Sequence, residues 1–160
     1  MQDDIKILGI DPGFGRMGFG CVWVSGGHVT PLDFGVIITD TQDSHETRLL
    51  AIAQDLSALF LEHQPQLVAI EKLFFAQNST TAMKVAEARG VALLVAAQCG
   101  IPVVEFTPAQ VKKALTCDGK AGKAAMQRMV KDFLSLPTIP KPDDAADALA
   151  IAITATGKKW

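Results

Sequence analysis

The chain has 160 residues, a formal net charge of −2, 49% hydrophobic and 20% charged residues, which is enough apolar material for the core of one domain. No apolar run approaches the roughly 20 residues of a membrane span, and the acidic start Met1-Gln2-Asp3-Asp4 does not read as a signal peptide. Its three cysteines, Cys21, Cys99 and Cys117, are odd in number and lack metal-type spacing, so they read as reduced thiols of a cytoplasmic protein.

In chain order, residues 5–10 are mostly apolar, as in a buried strand. Met17–Val24 follows a glycine turn and reads as a second strand. Gly26-Gly27 then signals a hairpin into a third, His28–Ile38, giving an antiparallel meander. Leu49, Ile52, Ala53, Leu56, Leu59 and Phe60 recur at helical spacing within Ser44–Glu62, with Ser44 in the cap region and Pro65 beyond the end. Leu67–Ile70 is a fourth strand. Ser79–Gln98 is a long helix stopped by Cys99-Gly100, and Ile101–Phe106 is a short fifth strand. Thr107 and Pro108 start another helix, Lys120–Leu134 is amphipathic, and three prolines (137, 140 and 142) lead into a last helix over Asp143–Thr156.

This order implies an α/β fold, a five-stranded mixed sheet with helices on both faces and strand one in its centre. Asp11 and Glu71 would then leave the carboxyl ends of adjacent strands, where open α/β sheets place their ligands. Near the C-terminus, Asp144 and Asp147 open the last helix. Carboxylates at the ends of buried elements are costly to desolvate and repel one another, so a group of them points to a hard cation. Spacing does not choose between Asp143 and Asp144, because an i,i+3 or an i,i+4 pair with Asp147 can share a helix face.

Charge is also unevenly spread. From Lys112 to Asp132 there are six cations (Lys112, Lys113, Lys120, Lys123, Arg128, Lys131) against Asp118 and Asp132, a local net +4 in an acidic chain. His28, His45 and His63 have no spacing suggestive of a metal site and read as surface or cap residues.

Ile7-Leu8-Gly9-Ile10-Asp11-Pro12-Gly13 resembles the first motif of the RuvC family of Holliday-junction resolvases, Ala69–Phe74 the second, and Asp144–Ala150 the C-terminal one. Ala86–Val91 and Gln110-Val111-Lys112 also match, in order, so the likeness spans roughly Ile5 to Thr154. It implies a ribonuclease-H-like three-layer α/β/α nuclease, a single domain over 1–160. Such an enzyme resolves four-way (Holliday) DNA junctions in recombination and repair, by paired symmetric phosphodiester hydrolysis. It implies a homodimer, working with a junction-binding and branch-migration complex of the RuvA and RuvB type.

The resemblance further implies that Asp11, Glu71, Asp144 and Asp147 are catalytic and hold two Mg2+ per active site, with Mn2+ able to substitute. It selects Asp144 over Asp143. Phe74 would stack on an unpaired base, and Lys112 and Lys123 would lie near the scissile phosphate, with Lys113 and Lys120 as further DNA contacts. Three features depart from the family: the segment 115–120 has little glycine and an acid, Gln77 stands where a base would be unsurprising, and the chain stops at Trp160 without the longer tail of some members. Rival readings are an RNA-processing ribonuclease-H-like nuclease, an ATP-using kinase of the actin and sugar-kinase type, and a non-catalytic junction-binding module. The kinase would need two lobes and a second nucleotide loop, and the binding module a lost carboxylate.

Overall fold

The computed structural model describes residues 4–74 and 80–157. Its elements are β1 (Ile5–Asp11), β2 (Arg16–Ser25), β3 (His28–Ile38), α1 (His45–His63), β4 (Leu67–Glu71), α2 (Thr80–Gln98), β5 (Val103–Phe106), α3 (Pro108–Thr116), α4 (Lys123–Phe133) and α5 (Asp143–Thr156). The five strands form one sheet in the order β3-β2-β1-β4-β5, so β1 is central as the connections require. β1 to β3 are an antiparallel meander, turned at Gly26 and Gly27, both with positive φ. β4 and β5 run parallel to β1 and to each other.

Most boundaries fall within three residues of those expected. The fifth strand starts at Val103 rather than Ile101, because Pro102 has no N–H for a ladder and offers only its carbonyl, to the Val68 N–H. The stretch after Thr107 holds two helices. Thr107 and Gln110 form a reciprocal capping box at the start of α3. Cys117, left-handed at φ 59°, ends it, and α4 begins at Lys123 behind Gly122. Ser79 lies outside the described residues.

Alternation along the central strands divides the core in two. Ile7 of β1, Leu67 and Ala69 of β4 and Phe106 of β5 pack with α3, α4 and α5 on one face. Leu8, Ile10, Val68 and Ile70 pack with α1 and α2 on the other. The result is three layers, and β1 and β4 are buried on both sides, which explains their unbroken apolar runs.

Helix α5 lies unusually close to the sheet. A Cβ on Gly9 would fall 2.1 Å from the Ala148 carbonyl oxygen, and one on Gly18 would fall 2.0 Å from that of Asp144. Only glycine permits this approach, and the alanines of α5 complete it from the helix side. Ten of the fourteen residues of α5 are buried, which is the pattern of a core helix rather than a surface one.

Candidate active site

The alternation that divides the core also places the acids. Asp11 continues the Ile7 face of β1, and Glu71 continues the Leu67–Ala69 face of β4. Ile10 pairs with Ile70 in parallel register, so Asp11 and Glu71 are the next residues of two neighbouring strands, on the face that α5 covers. Asp144 and Asp147 stand in the first turns of α5. The tight Gly18–Asp144 approach holds that end of the helix beside Asp11, since Gly18 is the sheet partner of Asp11.

Asp11, Glu71 and Asp147 line one cleft of about 250 Å3, together with Lys112 of α3 and Lys123 of α4. Asp144 is not among its lining residues, yet its charge is felt at Asp11. Burial, and then the charges of Glu71, Asp147 and Asp144, push the Asp11 carboxyl from an ordinary 3.8 up to about 8. Burial first, and then Asp147, raise Glu71, against the pull of Lys112. Asp147 is raised by burial, with Lys123 opposing. The Lys123 ammonium lies 3.7 Å from Asp147 and 3.3 Å from Asp143, and Asp147 is the main cause of its own raised pKa.

This set of atoms fits a divalent cation chemically. All its donors are carboxylate oxygens, their mutual repulsion is only partly offset by lysines, and Asp144 Oδ2 is buried without a hydrogen bond. Among the described residues, no three acidic, histidine or cysteine side chains are already drawn close enough to cage a metal. The carboxylates line a common space instead, with Asp144 leaning on Arg16 at 2.6 Å. Asp143 faces a different environment. It accepts from Gln127 Nε2 at 3.0 Å and Lys141 Nζ at 3.3 Å and pairs with Lys123, and these contacts, Lys123 first, lower its pKa.

The other expected DNA contacts are dispersed. Lys113 and Lys120 are exposed and do not line the cleft. Phe74 is 69% exposed, three residues beyond Glu71, where an aromatic can reach outward. Phe75 and Gln77 lie outside the described residues. His45 opens α1, stacks on Phe14 at 4.7 Å and pairs with Glu87, and His63 pairs with Asp33 at 3.0 Å. Cys21 is buried, Cys99 and Cys117 are exposed, and all three are free thiols.

Three further residues enter the site's surroundings, and of these only Arg89 has a signal in the sequence, as a structural or junction-proximal cation within the family-matching stretch Ala86–Val91. Arg16 reaches Asp144, Gln127 holds Asp143, and Arg89 donates from α2 to the Glu71 backbone carbonyl at 3.1 Å. Gln127 and Arg89 reach their partners across helix-to-helix or helix-to-strand contacts that local periodicity does not encode.

The family model described as "Crossover junction endodeoxyribonuclease RuvC" matches residues 7–155. The RuvC of Gloeobacter violaceus is 52% identical over 151 residues, covering 94% of this chain and 87% of that one. The RuvC of Desulfitobacterium hafniense is 50% identical over 147 residues, covering 92% and 89%. Among solved structures, Thermus thermophilus RuvC in complex with Holliday junction substrate superimposes with a TM-score of 0.90 at 36% identity, covering 95% of this chain and 93% of that one.

Proposed function

This chain belongs to the RuvC family of crossover junction endodeoxyribonucleases, and on that premise we propose that it cuts four-way DNA junctions at the cleft of Asp11, Glu71 and Asp147, with Asp144 beside it. The observation that carries the assignment is the shared face. Two adjacent parallel strands and the helix packed on them all deliver carboxylates to one side of the sheet, and two lysines face the same space.

Metal dependence belongs to the family, and two Mg2+ per site, replaceable by Mn2+, is our reading of an all-carboxylate donor set. Such ions, when bound, supply Lewis-acid activation of water and neutralise the departing 3′-oxygen. Asp11, on the central strand and under the charge of the other three, would hold the ions together with Glu71, Asp144 and Asp147. Lys112 and Lys123 bind the phosphate that lies across the carboxylates and offset charge building there in the transition state. No side chain need form a covalent intermediate. Phe74 stacks on an unpaired base at the junction centre, and Lys113 and Lys120 hold backbone further out.

Two symmetric cuts require two such sites, which supports a homodimer. The reading brings with it a cytoplasmic location and a branch-migration partner of the RuvA and RuvB type. Both apolar cores share one sheet, which supports treating 1–160 as one nuclease domain. Among the described residues no helix is long and apolar enough to cross a membrane.

The test is a synthetic four-way junction beside a linear duplex of the same sequence, each with Mg2+. Paired nicks of like polarity in the junction and an intact duplex are expected. Equal cutting of both would sink the junction reading.

A further inference from the structure

We propose that Arg89 is a positioning residue that sets Glu71 from the opposite side of the sheet. It rests on the reading of Glu71 as a metal ligand. Arg89 belongs to α2, which packs on the back face with Val68 and Ile70, whereas the Glu71 side chain belongs to the α5 face. Its side chain is only 16% exposed. Nε donates to the Glu71 carbonyl at 3.1 Å, and one terminal nitrogen meets Glu105 Oε2 of β5 at 2.8 Å.

The position of these contacts gives them their meaning. The β1–β4 ladder ends at Ile10 and Ile70, so the Glu71 peptide lies past the last residue pair on that side. On the other side Glu71 pairs with Phe106, and Glu105 pairs with Ile70. Arg89 therefore ties together the ends of β4 and β5 where Glu71 leaves the sheet. A charged side chain this buried is costly unless its donors are used, so the two acceptors fix one geometry rather than several. The same side chain borders a hollow of about 240 Å3 with Lys72, Leu73 and Phe74, the segment that follows Glu71. Fixing the Glu71 carbonyl restricts the ψ of Glu71 and the direction in which that segment departs.

Partners that orient a metal ligand typically change metal affinity or activity by about 10–100-fold when removed. Arg89→Ala in the full chain should weaken Mn2+ binding, measured by calorimetry without DNA, by roughly tenfold or more. The Mg2+ midpoint for junction cutting should rise in parallel, while metal-free junction binding stays within about twofold. Glu105→Gln, which loosens Arg89 without removing it, should shift both midpoints less and in the same direction. Arg89→Lys, able to reach one acceptor, should restore part of the loss. Adding Glu105→Gln to Arg89→Ala should make it no worse.

A lowered melting temperature with unchanged Mn2+ and Mg2+ midpoints would make Arg89 a plain structural residue and overturn the proposal. If Arg89→Ala does not fold, Glu105→Gln decides alone, and unchanged midpoints there overturn it equally. Glu71→Gln separates the underlying assignment. Retained Mn2+ affinity and cutting in that variant would remove Glu71 from the metal site; their loss, with wild-type behaviour of the Arg89 and Glu105 variants, would remove only the positioning role.

Discussion

Arg16 Nε lies 2.6 Å from Asp144 Oδ2, yet that oxygen, though buried, accepts no hydrogen bond. The guanidinium supplies charge at close range without aiming a hydrogen, so it neutralises Asp144 rather than fixing it. Arg16 is half-exposed, which leaves it free to swing away. A cation at the carboxylates must compete with it. Arg16→Ala should therefore tighten Mn2+ binding by the DNA-free protein, by up to about fivefold, the worth of an exposed ion pair. Calorimetry checks the sign; weaker binding would show that Arg16 orients Asp144 instead.

The raised carboxyl of Asp11 makes stability depend on pH. A carboxyl whose pKa is higher in the folded state favours folding while protonated. That contribution is complete below the ordinary 3.8 and is lost as pH rises through about 8. Metal-free protein should thus lose stability between about pH 4 and 8, by on the order of several kcal/mol from this group. Asp11→Asn should raise the melting temperature at pH 8 and flatten its pH dependence, while abolishing cutting. Added Mg2+ should stabilise the wild type at pH 8 and leave Asp11→Asn much less affected. A melting temperature at pH 8 unchanged by Asp11→Asn would show that Asp11 carries no such burden.

Much of this arrangement is legible in the amino-acid sequence. Apolar runs in β1 and β4, the Gly26-Gly27 hairpin and the Ser44 and Thr107 caps are local signals, and local physics decided them. The parity of Asp11 with Ile7 and of Glu71 with Leu67 was implicit in strand alternation, once both strands were parallel neighbours. Two things were not legible. Strand propensity says nothing of Gly9 and Gly18 as the seat of α5, because the atoms that exclude a Cβ there come from Ala148 and Asp144, more than 120 residues away. Charge spacing likewise could not divide the lysines. Lys112 and Lys113 are neighbours in sequence, but the helix sends only Lys112 into the cleft.

That glycine seat makes a sharp prediction. Gly9→Ala or Gly18→Ala puts a methyl within about 2 Å of a backbone oxygen of α5, with no flexible side chain to give way. The helix must move, taking Asp144 and Asp147 with it. Each variant should lose about 3 kcal/mol or more, on the scale of severe overpacking, and cut poorly even at temperatures where it stays folded. Gly90→Ala, within α2 and with no atom within 4 Å of the added methyl, should gain about 0.5–1 kcal/mol from helix propensity. Chemical denaturation measures all three, and a mild effect at Gly9 and Gly18 would show that α5 is not held there.

The two adjacent aspartates of α5 should separate cleanly. Asp143 is occupied by Lys123, Lys141 and Gln127, and those contacts lower its pKa, so its carboxylate is already compensated by the protein. Asp144 has only the half-exposed Arg16 as a counter-charge, raises the pKa of Asp11 and keeps a buried oxygen without a hydrogen bond. Asp144→Asn should then cost on the order of 100-fold or more in cutting, the scale of losing one electrostatic stabiliser at a reacting centre. Asp143→Asn should cost only a few fold, through a looser Lys123, and junction binding should survive in both. The comparison needs single-turnover cutting at saturating Mg2+, so that a ligand loss is not mistaken for weak metal binding. Strong loss in Asp143→Asn with persistence in Asp144→Asn would reverse the assignment. It would also mean that Lys123 gives up Asp143 when the site is loaded, since one carboxylate oxygen cannot serve both a lysine ammonium and a cation at full strength.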